Sequence, residues 1–166
     1  MTKQLPPAGY HPIRRDQRLL ETVMDSYKSK GKLHEPTVCP DCGAVFHGGR
    51  WQWMARPKDA HETTCPACHR MRDNFPAGYV SLHGAYFAAH EEEILHMMKN
   101  HEAQEKANHP LQRIMGIEKT AQGTVVTTTD IHLARGIGEA LHHAYQGELE
   151  LHFNPEQNRL RVNWSR

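Results

Sequence analysis

Cys39-Pro40-Asp41-Cys42 and Cys65-Pro66-Ala67-Cys68 repeat one four-residue frame and hold all four cysteines of a 166-residue chain. A Cys-Pro-x-Cys turn aims two thiolates at one point. Two such turns complete a tetrahedral tetrathiolate site for which Zn²⁺ is the expected occupant, at Zn–S distances of roughly 2.3 Å. Four protein ligands leave no coordination position open, so the metal is expected to brace a fold, and the chain to be a binding module rather than an enzyme. Three other uses of these residues compete. Disulfides need an oxidising compartment, and the polar, proline-rich start does not read as a signal peptide. A thioredoxin-like redox pair needs one such motif in a βαβ setting. An iron–sulfur centre takes the same four ligands and stays open as an alternative to zinc.

Between Cys42 and Cys65 lie 22 residues, slightly beyond the roughly 15–20 of the usual two-knuckle pattern, which predicts a long hairpin finger. Residues 43–54 supply it, with a turn at Gly48-Gly49 between apolar flanks. Phe46, Arg50, Trp51 and Trp53 fall on this hairpin, with Arg56 and Lys58 just beyond. Interleaved rings and cations of this kind stack unpaired bases and hold phosphates. Trp51 and Trp53 share one face of an alternating strand, so at least one is expected to plug the small core.

Hydrophobic residues make up 38% of the chain, and no run approaches the roughly 18 apolar residues of a membrane helix. The expectation is a soluble, cytoplasmic protein without a membrane partner or a small-molecule substrate. The net charge of +1 conceals an asymmetry. Residues 1–72 carry 12 lysines and arginines against 7 acids, and residues 73–166 carry 8 against 12. A basic front half is the electrostatic footprint of a phosphate-binding surface. Its candidate RNA contacts are Arg14, Arg15, Arg18, Lys28, Lys30, Lys32, Arg50, Trp51, Trp53, Arg56, Lys58, Arg70 and Arg72.

Along the chain, the first dozen residues read as an extended, mobile arm. Leu19, Leu20, Val23, Met24 and Tyr27 recur at three- and four-residue steps, which predicts a helix over 14–28 followed by a basic linker to Lys32. This arm and helix (1–37) precede a zinc ribbon (38–78) and a third region (79–166). The third region opens with a short strand, Tyr79 to His83, and a long helix over 85–107. Next come a hairpin turning at Gln122-Gly123, a helix capped by Asp130 and stopped at Gly147, and a closing hairpin over 148–164. The expected class is α+β, with the ribbon followed by a helix-β-β-α-β-β antiparallel domain.

Cys65-x-x-Cys68-x-Arg70-x-Arg72, then Pro76-x-Gly78-Tyr79 entering a strand, resembles the middle region of the nonsense-mediated-decay-three family, the export adaptors of the large ribosomal subunit and their archaeal relatives. The block Thr127-Thr128-Thr129-Asp130-Ile131-His132-Leu133-Ala134-Arg135 and the closing hairpin extend the likeness in scattered motifs over roughly 38–166. Short bacterial zinc-ribbon proteins share the Cys42-Gly43-Ala44-Val45-Phe46 start and the same threonine-rich block. The family's long cysteine array is reduced here to four ligands, and nothing corresponds to its export regions. The resemblance implies ribosome or ribosomal-RNA binding, on idle subunits under stress or during subunit maturation. The alternative is a protein–protein adaptor whose zinc only organises the fold. Histidine is abundant, at 14 residues, but His90 and His96 do not form His-Glu-x-x-His, and no phosphate loop or nucleophile elbow appears. Catalysis is not expected.

Overall fold

A computed structural model describes residues 6–21, 26–28 and 31–166. In chain order the elements are β1 (His11–Ile13), β2 (Thr37–Val38), β3 (Val45–His47), β4 (Arg50–Gln52), β5 (His61–Glu62), α1 (Pro66–Asp73), β6 (Gly78–His83), α2 (Ala85–Ala89), α3 (Glu91–Asn108), β7 (Ile114–Lys119), β8 (Gly123–Thr128), α4 (Ile131–Tyr145), β9 (Glu148–Asn154) and β10 (Arg159–Ser165). They form a mixed α+β fold with two sheets, one of four strands (β4-β3-β2-β5) and one of six (β1-β9-β10-β6-β8-β7).

The larger sheet is built from the two expected hairpins, β7–β8 and β9–β10, each antiparallel. The antiparallel expectation fails where they are joined. β6 lies between them, antiparallel to β8 but parallel to β10, with Val80 beside Val162 and Leu82 beside Trp164. Alternation puts Val80, Leu82, Val126, Leu160, Val162 and Trp164 on one face, all fully or nearly fully buried. Against that face α4 lays Leu133, Ala134, Ile137 and Leu141, and α3 adds Ile94 and Met98. Asp130 caps α4 as expected, its carboxylate accepting from the His132 and Leu133 amides at 2.8 and 3.1 Å. The helix expected over 85–107 breaks at His90 (φ −125°, ψ 23°), whose ring stacks on Tyr86 with centroids 4.0 Å apart.

Gly78 sets how closely α4 approaches. A methyl group there would stand 2.5 Å from the Ala134 Cβ and 2.3 Å from the Thr128 hydroxyl. Gly78→Ala is therefore expected to destabilise the protein by about 1–3 kcal/mol, the usual cost of overpacking, as a lowered denaturation midpoint. An unchanged midpoint would show that helix and sheet can part at no cost.

The amino-terminal segment departs from expectation. It is not a free arm: Tyr10 is buried, a side chain at Gly9 would meet Asn154 at 2.8 Å, and β1 pairs with β9 in register His11 with Phe153. Nor is there a helix over 14–21. Arg14–Gln17 form a turn, Leu19 packs on the core, and Leu20 faces solvent. Tertiary bonds outweigh helix propensity here. Arg135 donates to the Arg15 carbonyl, and Glu21 meets His132 and Asn158, each at 3.3 Å. Val23, Met24 and Lys30 lie outside the described residues.

Candidate metal centre and adjoining cleft

Each knuckle is shaped by its own backbone. In the first, the Gly43 amide bonds the Cys39 carbonyl at 2.9 Å and the Cys39 amide bonds Ala44 at 2.8 Å. Closing that loop needs a left-handed residue, and Gly43 supplies it at φ 81°. The second knuckle is a helix start. Cys65 is the N-cap of α1, its sulfur accepting from the Cys68 amide at 3.4 Å, and Pro66 occupies the first turn. Sequence reading passed over α1, although proline at the start, Arg70 and Arg72 in the last turn and left-handed Asn74 at the end are its signals.

The four sulfurs lie within 4.8 Å of one another, with Cys42 and Cys65 3.8 Å apart. Metal–thiolate bonds of roughly 2.3 Å in a tetrahedron give sulfur–sulfur edges of roughly 3.8 Å, so the donor set fits a tetrahedral metal ion. A disulfide needs roughly 2.05 Å, and all four cysteines are free. The Cys65 amide donates to the Cys39 sulfur at 3.2 Å. Cys39, Cys65 and Cys68 are buried and cluster with Ala67, with Cys42, Trp51 and Leu111 packed around them, and Val38, Ala44 and Val45 are buried nearby in the chain.

Sequence reading missed Arg113. This buried residue sends one guanidinium nitrogen to Cys68 at 3.1 Å and the other to Cys42 at 3.1 Å and Cys65 at 3.5 Å. Its Nε donates to the Pro110 carbonyl at 2.9 Å, and Thr129 binds its backbone from both sides. The Cys65 thiol's hydrogen bond pulls the Cys42 acidity constant well down, against burial and with help from Arg113. The same bond and burial push Cys65 up, and burial also raises Cys68 against the pull of Arg113. Burial works against the charge on Arg113, but its bonds to Cys68 and Cys42 keep it firmly protonated. No local sequence signal ties an arginine at the head of β7 to cysteines 45 or more residues earlier.

No protein-family model matches this chain, and no curated protein or solved structure matches it either. The meaning of the site therefore rests on its own geometry.

The candidate RNA contacts are dispersed. The Gly48-Gly49 turn forms as expected, both glycines at positive φ (61° and 80°), and their amides bond the Glu35 carboxylate. Beside it, Lys28, Lys32, Arg50 and Trp51 line a cleft of about 680 Å³ between the smaller sheet and the Pro110–Gln112 connection. Trp51 is half-buried and meets Phe46 edge-on at 5.6 Å. Trp53 is spent elsewhere, its indole N–H donating to the Lys106 carbonyl at 2.7 Å. Arg56 pairs with Glu62 at 2.8 Å, Arg72 with Asp41 at 2.7 Å, and Arg14 with Asp16 at 3.4 Å. Arg15, Arg18 and Lys58 are exposed away from the cleft lining. Arg70 is the clearest departure: it is buried, bonded to the Phe75 carbonyl at 2.9 Å and set over the Tyr27 ring at 4.5 Å. Its charge holds α1 to neighbouring segments and presents nothing to a ligand. Among the described residues, no helix is long and apolar enough to cross a membrane.

Proposed function

We propose that this protein is a zinc-braced RNA-binding protein that associates with the ribosome, and that its smaller sheet with the two knuckles is a zinc ribbon. One observation carries the RNA reading. Lys32 and Arg50 have no ion-pair partner among the described residues, unlike Arg56 and Arg72, and with Lys28, whose charge acts on Asp130, they stand with Trp51 around one cleft beside the cysteines. Unpaired cations around an aromatic wall are suited to phosphates and unstacked bases. Zinc is the natural occupant of four thiolates at tetrahedral spacing, because a closed soft-ligand site with no redox demand favours it. The ribosome enters through the motif likeness over Cys65–Tyr79 and Thr127–Arg135. No catalytic role is proposed.

Two measurements test this. In sucrose gradients at low salt the protein is expected to travel with ribosomal particles and to leave them as salt rises. Binding to naked ribosomal RNA is expected to lose affinity with a log–log salt slope of about −0.7 for each single-strand phosphate neutralised. Reversing Lys32 and Arg50 to glutamate should flatten that slope. A protein that stays in the top fractions at every ionic strength sinks the ribosome reading. One that sediments with ribosomes yet ignores naked RNA is an adaptor for a protein component instead.

A further inference from the structure

We infer that the cleft holds one unstacked nucleotide of an RNA strand, its base against the Phe46–Trp51 wall and its phosphate on Lys28, Lys32 and Arg50. The inference deepens the RNA reading above and rests on it.

The volume of about 680 Å³ falls within the roughly 300–1,000 Å³ range of sites that enclose a small ligand. It is too confined for a duplex and suited to a base turned out of its stack. The walls differ in chemistry. Phe46 and Trp51 are directly opposed across β3 and β4, so both rings stand on one face of the smaller sheet. Leu111 and buried Pro110 close the far side. The three cations of the lining are exposed to solvent, as suits a backbone phosphate that stays outside while the base goes in. The two acids of the lining are already committed. Glu35 accepts from the Gly48 and Gly49 amides at 3.3 and 2.8 Å, and Asp130 caps α4. Glu35 spends both oxygens in this way, Asp130 spends Oδ1 and has the Lys28 charge acting on it, and three cations against these two acids turn the cleft toward an anion carrying a planar ring. His109 also lines the cleft and can offer a ring nitrogen to a base edge, whereas the His69 Nε2 faces Asp73 at 3.7 Å.

The test uses the full-length, metal-loaded protein and three probes: adenosine 5′-monophosphate, adenosine and inorganic phosphate, each competing with a labelled single-stranded RNA. The monophosphate is expected to displace the RNA and to quench tryptophan emission, while adenosine and phosphate alone act only at far higher concentration. Trp51→Phe should abolish the quench, with metal content measured to confirm that the ribbon is intact. Lys32→Gln with Arg50→Gln, both exposed, should weaken monophosphate and RNA together by about fivefold or more.

The outcomes separate the two claims. RNA bound in a salt-dependent way, with no competition from the monophosphate and no effect of Lys32→Gln/Arg50→Gln, overturns the cleft and leaves RNA binding standing. Monophosphate bound without RNA keeps a nucleotide cleft and overturns the RNA reading. Neither ligand bound overturns both.

Discussion

Replacing Cys65 with serine will release the metal and unfold the smaller sheet while the six-stranded sheet stays folded. Serine keeps the backbone amide that donates to Cys39 and can still cap α1, so what the change removes is the sulfur that completes the four-thiolate cluster and accepts from Arg113. The strands there are only two or three residues long, and besides three cysteines and Ala67 the buried apolar residues are only Val38, Ala44 and Val45. So little apolar area cannot offset the chain entropy of ordering the segment. A metal bound by the four sulfurs would do so, and apparent binding energies of about 10–16 kcal/mol for structural zinc in small fingers are of the right size. The larger sheet has its own core of Val80, Leu82, Leu160, Val162 and Trp164 and needs no such support. Elemental analysis should find one zinc per wild-type chain and none in Cys65→Ser. Limited proteolysis should then cut the variant within residues 37–75 and spare 78–165. Wild-type metal content with a variant equally resistant to protease would show that the sulfurs are ordinary core atoms.

Arg113→Met is expected to weaken metal binding by about 10–100-fold, the usual penalty for losing an outer-shell partner. Four thiolates around a divalent ion leave a net charge near −2 in a buried place, and Arg113 neutralises part of it through bonds to three of the sulfurs. Methionine preserves bulk while removing the charge. Lysine should rescue little, because a point ammonium cannot repeat the two-pronged contact or the Nε bond to Pro110. The pH dependence follows in sign. Arg113 helps lower the proton affinity of Cys42 and opposes the rise that burial imposes on Cys68, so it favours both thiolates, and the metal is lost as pH falls and protons take them. Without the guanidinium, protons compete sooner, and acid release of the metal should move to higher pH. Chelator competition across a pH series reads both effects. A release curve that coincides with wild type would reduce Arg113 to a packing residue.

Much of this arrangement is visible in the chain because the signals are local. Two cysteine frames, paired glycines at 48–49, Asp130 ahead of an apolar helix and β-branched runs on either side of short turns each act within a few residues. What escaped was decided at longer range. Whether β6 runs parallel to β10 depends on how two hairpins share a core, which neither turn encodes. β1 exists because β9 offers an unpaired edge and Tyr10 finds a buried place, and the helix expected from Arg14 onward does not form over 14–21, where contacts with Arg135 and His132 override it. At the site, the clustering of four cysteines was legible from spacing, whereas Arg113, which bonds three of their sulfurs, carries no mark of it. The candidate cations could be listed from composition, but only the fold separates Lys28, Lys32 and Arg50 at the cleft from Arg70, which is buried, and Arg72, which is tied to Asp41.

The six-stranded sheet also has protected margins. On one side stands a three-residue strand whose central Pro12 has no amide to offer. On the other, β7 is bulged between Ile114 and Gly116 and ends in Glu118 and Lys119. Short length, proline, a kink and charge are what keep neighbouring copies from adding strands to one another. A molecule so bordered can be concentrated without polymerising through its backbone, even though its largest layer has open ends.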